Sequence, residues 1–312
     1  MQIRKATEQD IPKIIEVLKA SLGETSSKKT EAVWRYKHED NPFGISVVLV
    51  AEENEEIVGV RAFMRWQWQL GDQIFSTFRA VDTATHPDHQ GKGVFKKLTL
   101  NALEVVKKQG DDFIFNTPNT QSLPGYLKMG WKEVSKLKIR VKPTNPFNWL
   151  YNKTGKAYTI KNTSGEGQLA NLTLGYNKLK AKENRLFTLK SPEYLIWRYE
   201  NNPFQNYEVK ADQDFYLAAC IKEHKYVKEL RITEHIYSDD RGLQKINKAV
   251  KEFSKKFGAQ IITSMGLISG FGFSGNYGPV LTLRDVNLNP YLKQELLQLD
   301  NWSYTLGDLE LF

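Results

Sequence analysis

Cysteine is nearly absent: Cys220 stands alone in 312 residues. One thiol excludes an intrachain disulfide framework and a cysteine-based zinc site. Long hydrophobic runs are missing too, and no stretch approaches the roughly 18 apolar residues of a membrane-spanning helix. The opening residues, Met1-Gln2-Ile3-Arg4-Lys5-Ala6, lack the apolar segment of a secretory leader. A cytoplasmic protein that does not engage a membrane is the expectation, and the Asn-x-Ser/Thr triplets, Asn162-Thr163-Ser164 among them, are read as chance. There is no dense basic block. The net charge is +8, but the lysines are scattered and not interleaved with aromatics. That distribution favours a solvated surface over a nucleic-acid interface, so nucleic acid is not an expected partner. What is present is a globular composition, 40% hydrophobic and 26% charged, at a length that holds two cores of domain size.

Patterning divides the chain. Residues 3–6 read as a short strand, and Thr7-Glu8-Gln9-Asp10 signals a helix start. Ile11, Ile14, Ile15 and Leu18 recur at helical spacing, so residues 11–22 are expected as an amphipathic helix. Residues 46–52 and 56–66 are strand runs around the turn Glu53-Asn54-Glu55, and 73–85 is a long strand after Gly71-Asp72. Phe95, Leu98, Ala102 and Val105 form the apolar stripe of a helix that Gly110 ends. A short buried strand follows at 113–116, then a short helix at 123–129 closed by Gly130, then a returning strand at 133–141. The order is β-α-β-β-β-α-β-α-β. Pro143-Thr144-Asn145-Pro146 breaks regular structure, and the polar stretch 152–168 reads as linker. The expected division is therefore 1–142, a connection over 143–168, and 169–312.

The second half echoes the first. Trp34-Arg35-Tyr36 is followed by Asn41-Pro42-Phe43, and Trp197-Arg198-Tyr199 by Asn202-Pro203-Phe204. Each copy leads into a strand run, at 47–52 and 215–220. Tryptophan is rare enough that this repeat indicates a duplicated domain. A strand at 230–237, a helix at 242–257 and a strand at 260–265 continue the parallel. Gly270-Phe271-Gly272-Phe273-Ser274-Gly275 is formally Gly-x-Gly-x-x-Gly, but strand-like Val280-Leu281-Thr282-Leu283 follows and no helix does. A flexible aromatic loop, not a dinucleotide site, is expected there.

The segment Gln90-Gly91-Lys92-Gly93-Val94-Phe95 lies between the strand ending at Thr85 and the helix that follows. The first amides of a helix have no partner in the chain, and the helix dipole adds positive charge, so a pyrophosphate can sit on backbone there. Two glycines let the backbone approach closely, and Lys92 adds a charge. Taken alone, the segment reads equally as an ordinary basic turn.

A second element tips the reading. Asn119, Ser122, Tyr126, Lys128, Gly130 and Trp131 spell Asn-x-x-Ser-x-x-x-Tyr-x-Lys-x-Gly-Trp. Together the two segments resemble the motifs of the GNAT acetyltransferase superfamily, Gln/Arg-x-x-Gly-x-Gly/Ala and Asn-x-x-Ala-x-x-x-Tyr-x-Lys-x-Gly-Phe. The resemblance covers roughly the first 140 residues. Phe95 departs from it, standing where the family has a small residue, and is expected to narrow the phosphate loop. The resemblance implies a duplicated α/β GNAT fold, a mixed, mostly antiparallel sheet flanked by helices, and the element order read above agrees with it.

The resemblance further implies an N-acyltransferase that moves an acetyl group from acetyl-CoA to a primary amine. Acetyl-CoA would lie along Ala84 and Thr85, with its pyrophosphate on Gln90, Gly91, Lys92, Gly93, Val94 and Phe95 and its arm near Asn119. Tyr126 is the expected general acid, because a phenol and a leaving thiolate have proton affinities close enough for transfer. Asp82 is the first candidate base, with Glu133, His86, His89 or a water chain as alternatives. His86-Pro87-Asp88-His89 matches no zinc spacing, and no metal is expected. In the second half Asp239-Asp240-Arg241-Gly242 stands where the phosphate turn belongs, and two carboxylates there repel a pyrophosphate. That copy is expected to be degenerate, a wall or lid for the acceptor. A non-catalytic acyl-CoA-binding or scaffold protein and an aminoacyl-tRNA-dependent transferase are the competing readings. The acceptor, acyl length and oligomeric state are left open.

Overall fold

The computed structural model describes residues 1–24, 28–144, 166–266 and 269–309. The chain runs β1 (Gln2–Lys5), α1 (Ile11–Leu22), α2 (Glu31–His38), β2 (Val47–Glu53), β3 (Glu56–Leu70), β4 (Gln73–Thr85), α3 (Val94–Gln109), β5 (Phe113–Asn116), α4 (Leu123–Lys128), β6 (Lys132–Lys136) and β7 (Ile139–Pro143). After the undescribed stretch come α5 (Glu166–Ala181), β8 (Phe187–Thr188), α6 (Pro192–Leu195), β9 (Glu208–Ala211), β10 (Phe215–Glu223), β11 (Lys228–Tyr237) and α7 (Asp240–Phe257). The chain closes with β12 (Ile261–Ser264), β13 (Phe273–Gly275), β14 (Val280–Asp285), α8 (Pro290–Glu295) and α9 (Leu306–Leu309).

Local chemistry explains the ends of these elements. Before α1, the Asp10 carboxylate accepts from the Thr7 amide at 2.7 Å and from Arg4 at 2.7 Å. Thr30 caps α2, its hydroxyl accepting from the Val33 amide at 3.3 Å. Gly110 closes α3 in the left-handed conformation, φ +83°, where other residues are strained.

Two sheets result. The first has the order β1-β2-β3-β4-β5-β14-β6, with β8 against the far end of β3; the second has the order β13-β7-β12-β11-β10-β9. Both are mixed and mostly antiparallel, as expected of the fold. On one face of the first sheet α1 and α2 bury Ile14, Leu18, Trp34 and Tyr36 with Val60, Val81 and Trp66. On the other face α3 packs Leu98, Ala102 and Val106 against Phe63, Phe78 and Ile114. The helix α7 covers the second sheet with Ile246, Ala249, Val250 and Phe253. Each Ile, Leu, Val or Phe among them stabilises by about 1.5–3 kcal/mol when fully buried. No helix among the described residues is long and apolar enough to cross a membrane.

Three sequence expectations need correction. The run 133–141 is not one strand: β6 belongs to the first sheet and β7 to the second. The change occurs at the fully buried Leu137, whose amide and carbonyl bond Pro279 and Gly278. Conversely, β14 from the second half lies between β5 and β6, so the sheets exchange strands across the division at 142. Alternation marks a strand but not the sheet that receives it. Residues 273–275 form β13 on the edge of β7 instead of an aromatic loop, although Phe271 and Phe273 stay exposed. Finally α5 starts at Glu166, inside the stretch read as linker; residues 145–165 lie outside the described residues.

Each sheet holds one parallel pair, and both pairs end early. Pairing between β4 and β5 runs from Thr77–Phe113 to Arg79–Phe115, while β4 continues to Thr85. Pairing between β11 and β12 runs from Glu229–Ile261 to Arg231–Thr263, while β11 continues to Tyr237. A bulge accompanies each splay. Val81 and Thr83 pair with Ala62 and Arg61, leaving Asp82 extra; Ile232 and Glu234 pair with Ala219 and Ala218, leaving Thr233 extra. Bulges of this kind re-aim the backbone beside functional clefts.

Candidate functional site

The first splay assembles the residues singled out from sequence. Residues 80–85 of β4 pair with β3 but no longer with β5. Asp82 at the bulge has φ +39°, a strained value for a residue with a side chain. Ala84 and Thr85 close the strand opposite Val60 and Gly59. Gln90 Nε2 donates back to the Thr85 carbonyl at 3.4 Å, so the turn is tied to the strand end.

The turn then opens α3. Gly91 and Gly93 have φ +77° and +75°, and a Cβ at either would meet nothing within 4 Å. Conformation, not crowding, therefore demands glycine there. No side chain caps α3 and no acid lies in its first turn. The internal ladder begins with the Lys97 amide on the Gly93 carbonyl at 3.0 Å. The amides of Val94, Phe95 and Lys96 precede that ladder and face outward, with Lys92, Lys96 and Lys97 beside them. Open amides with lysines beside them give this helix start the chemistry that attracts an anion. Phe95 does not crowd it: its ring lies 3.0 Å from where a Cβ on Gly125 would stand and meets Tyr126 edge-on at 5.5 Å. The bulk of the phenylalanine is absorbed by the missing side chain on α4.

Asn119 serves α4 first. Its Oδ1 accepts from the Ser122 amide at 2.9 Å and from the Ser122 hydroxyl at 2.9 Å, which fixes the helix start. These bonds leave its Nδ2 uncommitted. Tyr126 is 5% exposed, and its hydroxyl accepts from Arg61 Nη1 at 2.7 Å. The same Nη1 donates to the Thr83 hydroxyl beside the bulge. Arg61 is fully buried, and its Nε and Nη2 have no hydrogen-bond partner among the described residues. It lies over the rings of Phe63 and Tyr126, at 4.6 and 5.1 Å. A chain Thr83–Arg61–Tyr126 thus holds the phenol next to the bulge.

Asp82 is reached from the other face of the sheet, by α2. Its Oδ2 is shared by Lys37 and by His38 Nε2 at 3.0 Å, and His38 Nδ1 meets the Ser46 hydroxyl at 2.9 Å. Burial pushes the Asp82 carboxyl up, but the Lys37 charge and the His38 bond outweigh it and hold the group well below the usual carboxylate range. Burial lowers His38, against the pull of Asp82. Glu133 lies exposed on β6, separated from β4 by β5 and β14. His89 meets Glu53 at 3.1 Å and His86 meets Asp88 at 3.7 Å, away from the bulge. Among the described residues no three His, Cys, Asp or Glu side chains gather as a metal site.

Sequence reasoning missed Arg61, Lys37 and His38. Arg61 carried a signal: it is the one charge in the apolar run Ile57-Val58-Gly59-Val60-Arg61-Ala62-Phe63-Met64. Lys37 and His38 carried none, since only α2 packing brings them to Asp82.

The second half differs at the corresponding helix. Asp239 caps α7, its Oδ1 accepting from the Gly242 amide at 2.9 Å. A carboxylate of the chain itself holds the anion position.

The family model for the acetyltransferase (GNAT) domain matches residues 2–134. These residues are a GNAT domain. Solved structures share the fold over nearly the whole chain. A GCN5-related N-acetyltransferase from Anabaena variabilis is 14% identical with a TM-score of 0.61, covering 92% of this chain and 73% of its own. One from Kribbella flavida is 14% identical with a TM-score of 0.64, over 91% and 71%. Eis1 from Mycobacterium abscessus is 12% identical with a TM-score of 0.59, over 92% and 74%. No curated protein matches the chain. The GNAT domain places both sequence motifs at the splay, and the fold likeness extends through the second sheet.

Proposed function

We propose that this protein is a cytoplasmic N-acetyltransferase that moves the acetyl group of acetyl-CoA to a primary amine of a small, sugar-like or amino-acid-like acceptor. Residues 1–142 carry the chemistry, and the second half walls the acceptor side without a CoA of its own. One observation carries the reading: an uncapped, glycine-led helix start and a phenol held by Arg61 converge on a bulged, half-unpaired strand end. Each is a requirement of acyl transfer. The pyrophosphate needs backbone donors, the thioester needs an extended edge to lie on, and the leaving thiolate needs a proton.

In this reading the exposed edge of residues 80–85 pairs with the amide-bearing arm of acetyl-CoA. An amide freed by the bulge faces the thioester oxygen and stabilises the charge that develops there. The amine nitrogen attacks the thioester carbon, and the carbon–sulfur bond breaks. The Tyr126 hydroxyl gives its proton to the sulfur, yielding CoA thiol, and regains a proton from solvent. Because Arg61 donates to the phenol oxygen, the Tyr126 O–H is free to point at another acceptor, and the guanidinium offsets the phenolate left behind. Asp82, a poor base with its depressed proton affinity, orients the amine through Oδ1, and the ammonium proton leaves through water.

Calorimetry with acetyl-CoA, followed by CoA-thiol release across a panel of amino sugars, aminoglycosides and amino acids, tests the proposal. Binding at one site per chain with turnover of a primary amine is expected. Tight binding without turnover of any amine would favour the non-catalytic reading.

A further inference from the structure

The second sheet repeats the splay and the bulge of the first, and the space they leave is a cavity of about 620 Å³. It lies at the end of β11 and is lined there by His235 and Tyr237, with Tyr176 and Lys180 from α5 and Arg140 from β7. Its position matches that of the candidate acetyl-CoA cleft, yet the cavity is not suited to CoA. The helix that follows β11 is capped by Asp239, which excludes a pyrophosphate from its start.

Its lining points to another ligand. His235 is 6% exposed, and neither ring nitrogen has a hydrogen-bond partner among the described residues. Buried polar groups ordinarily are bonded, so an imidazole at a cavity wall with both nitrogens free is prepared for something that enters. Burial lowers its proton affinity, and the nearby charges of Lys180 and Lys190 lower it further, so the ring is neutral. Two of the cations that line the cavity are ion-paired, Lys180 with Glu183 at 2.8 Å and Lys138 with Asp300 at 3.0 Å, and Arg140 and Arg185 leave the lining with a positive excess. Lys138, Arg140, Lys180 and Arg185 outnumber Glu183 and Asp300 around it. Arg140 donates through Nη2 to the Gly270 carbonyl and keeps a buried Nε without a partner, and Tyr176 and Tyr237 stand in the same lining. Donors and positive charge predominate, on walls that are otherwise aromatic.

We infer that this second cleft is a binding site for a small organic anion, a carboxylate or phosphate ester, held by His235, Lys180, Arg140 and the two tyrosine hydroxyls. The site is separate from the proposed acetyl-CoA cleft and does not depend on that reading. A duplicated cleft that has lost its phosphate turn keeps its shape and has exchanged backbone amides for side-chain donors.

The test is a titration of the full chain, with ¹³C-labelled histidine observed by NMR. The probes are citrate, glucose 6-phosphate and inorganic phosphate, with uncharged glucose as control. The ring signal missing in His235→Gln identifies His235. At least one charged probe is expected to shift that signal saturably, glucose is not, and Lys180→Gln with Arg140→Gln is expected to weaken the binding at least tenfold. Asp239→Ala lies outside the lining and should leave it unchanged. Acetyl-CoA affinity, measured in the same samples, should stay as in wild type, which separates failure here from failure at the first cleft. No shift of His235 with any charged probe, equal binding of glucose, or displacement of the anion by stoichiometric acetyl-CoA overturns the inference.

Discussion

Tyr36, the last residue of the first Trp-Arg-Tyr segment, and Trp197, the first residue of the second, stack on one another. Their rings are 5.1 Å apart and 18° from parallel. The Trp197 indole N–H donates to the Tyr36 carbonyl at 2.9 Å, and the Tyr36 hydroxyl donates to the Trp197 carbonyl. The two copies of the echo thus meet, and joining the halves gives them a shared purpose. Trp197→Ala removes the stack and a buried indole, and should destabilise the chain by about 3–5 kcal/mol. Urea unfolding measures it, and a loss below ~1 kcal/mol would show that the contact is incidental to stability.

At the helix start, Gly93→Asp should weaken acetyl-CoA binding at least tenfold. The new side chain brings negative charge to the outward amides, and an L-residue is strained at φ +75°. Calorimetry on folded variant protein checks this; unchanged affinity removes the assignment of Gln90 through Phe95.

Tyr126→Phe keeps the ring against Phe95 and Trp131 and deletes the hydroxyl. Its kcat should fall by roughly 10²–10⁴ with little change in acetyl-CoA affinity. Arg61→Met should slow turnover through the same group. The double variant should then be close to the slower single variant, because effects within one unit do not add. Multiplying losses would mean that Arg61 acts elsewhere.

Acid should destabilise the fold before the carboxylates titrate. Burial, with the charges of Lys180 and Lys190, holds His235 at about 4, against an ordinary 6.5. Between those values the unfolded chain binds a proton that the folded chain refuses. Stability contributed by the neutral ring is therefore full above about pH 6.5 and falls toward pH 4, by something on the order of 3 kcal/mol. His38 is lowered as well and adds in the same direction. Unfolding free energies from pH 7.5 to 4.5 should decline, and His235→Gln should flatten the decline; a slope unaltered by that change would refute the assignment.

In the second half, Asp239→Ala removes the α7 cap at a cost of about 1 kcal/mol. Acetyl-CoA stoichiometry should remain one per chain, since Asp240 and the absent glycine turn still disfavour phosphate. A second equivalent bound by the variant would show that Asp239 alone had blocked it.

Much of the first half was legible. The apolar stripe of α1 and the alternation of β4 lie in consecutive residues, so periodicity located both, and turn chemistry located Gly91, Gly93 and Gly110. The short α2 was not legible as a helix, because it has two turns and its apolar residues are also those of the repeated segment. Asn119, expected beside the cofactor arm, has a second task that spacing did not announce: its Oδ1 accepts from the Ser122 amide at the start of α4, as an Asn side chain does when a helix begins three residues on, while its Nδ2 stays open.

Taken by itself, the sequence determined most helices and strands of the first half, α2 and the break between β6 and β7 excepted, together with the glycine-led turn before α3, the Tyr126 motif and the repeat that ties Trp34 to Trp197. These are written in local spacing, and local spacing governs backbone conformation. The tertiary structure alone decided that β7 joins the second sheet and β14 the first, that Arg61 reaches Tyr126, and that Lys37 and His38 occupy Asp82. It also decided that Phe95 turns toward Gly125 and that a second cleft survives beside His235. Those facts depend on contacts between residues far apart in the chain, where a side chain's partner is chosen by packing and burial and not by its neighbours in sequence.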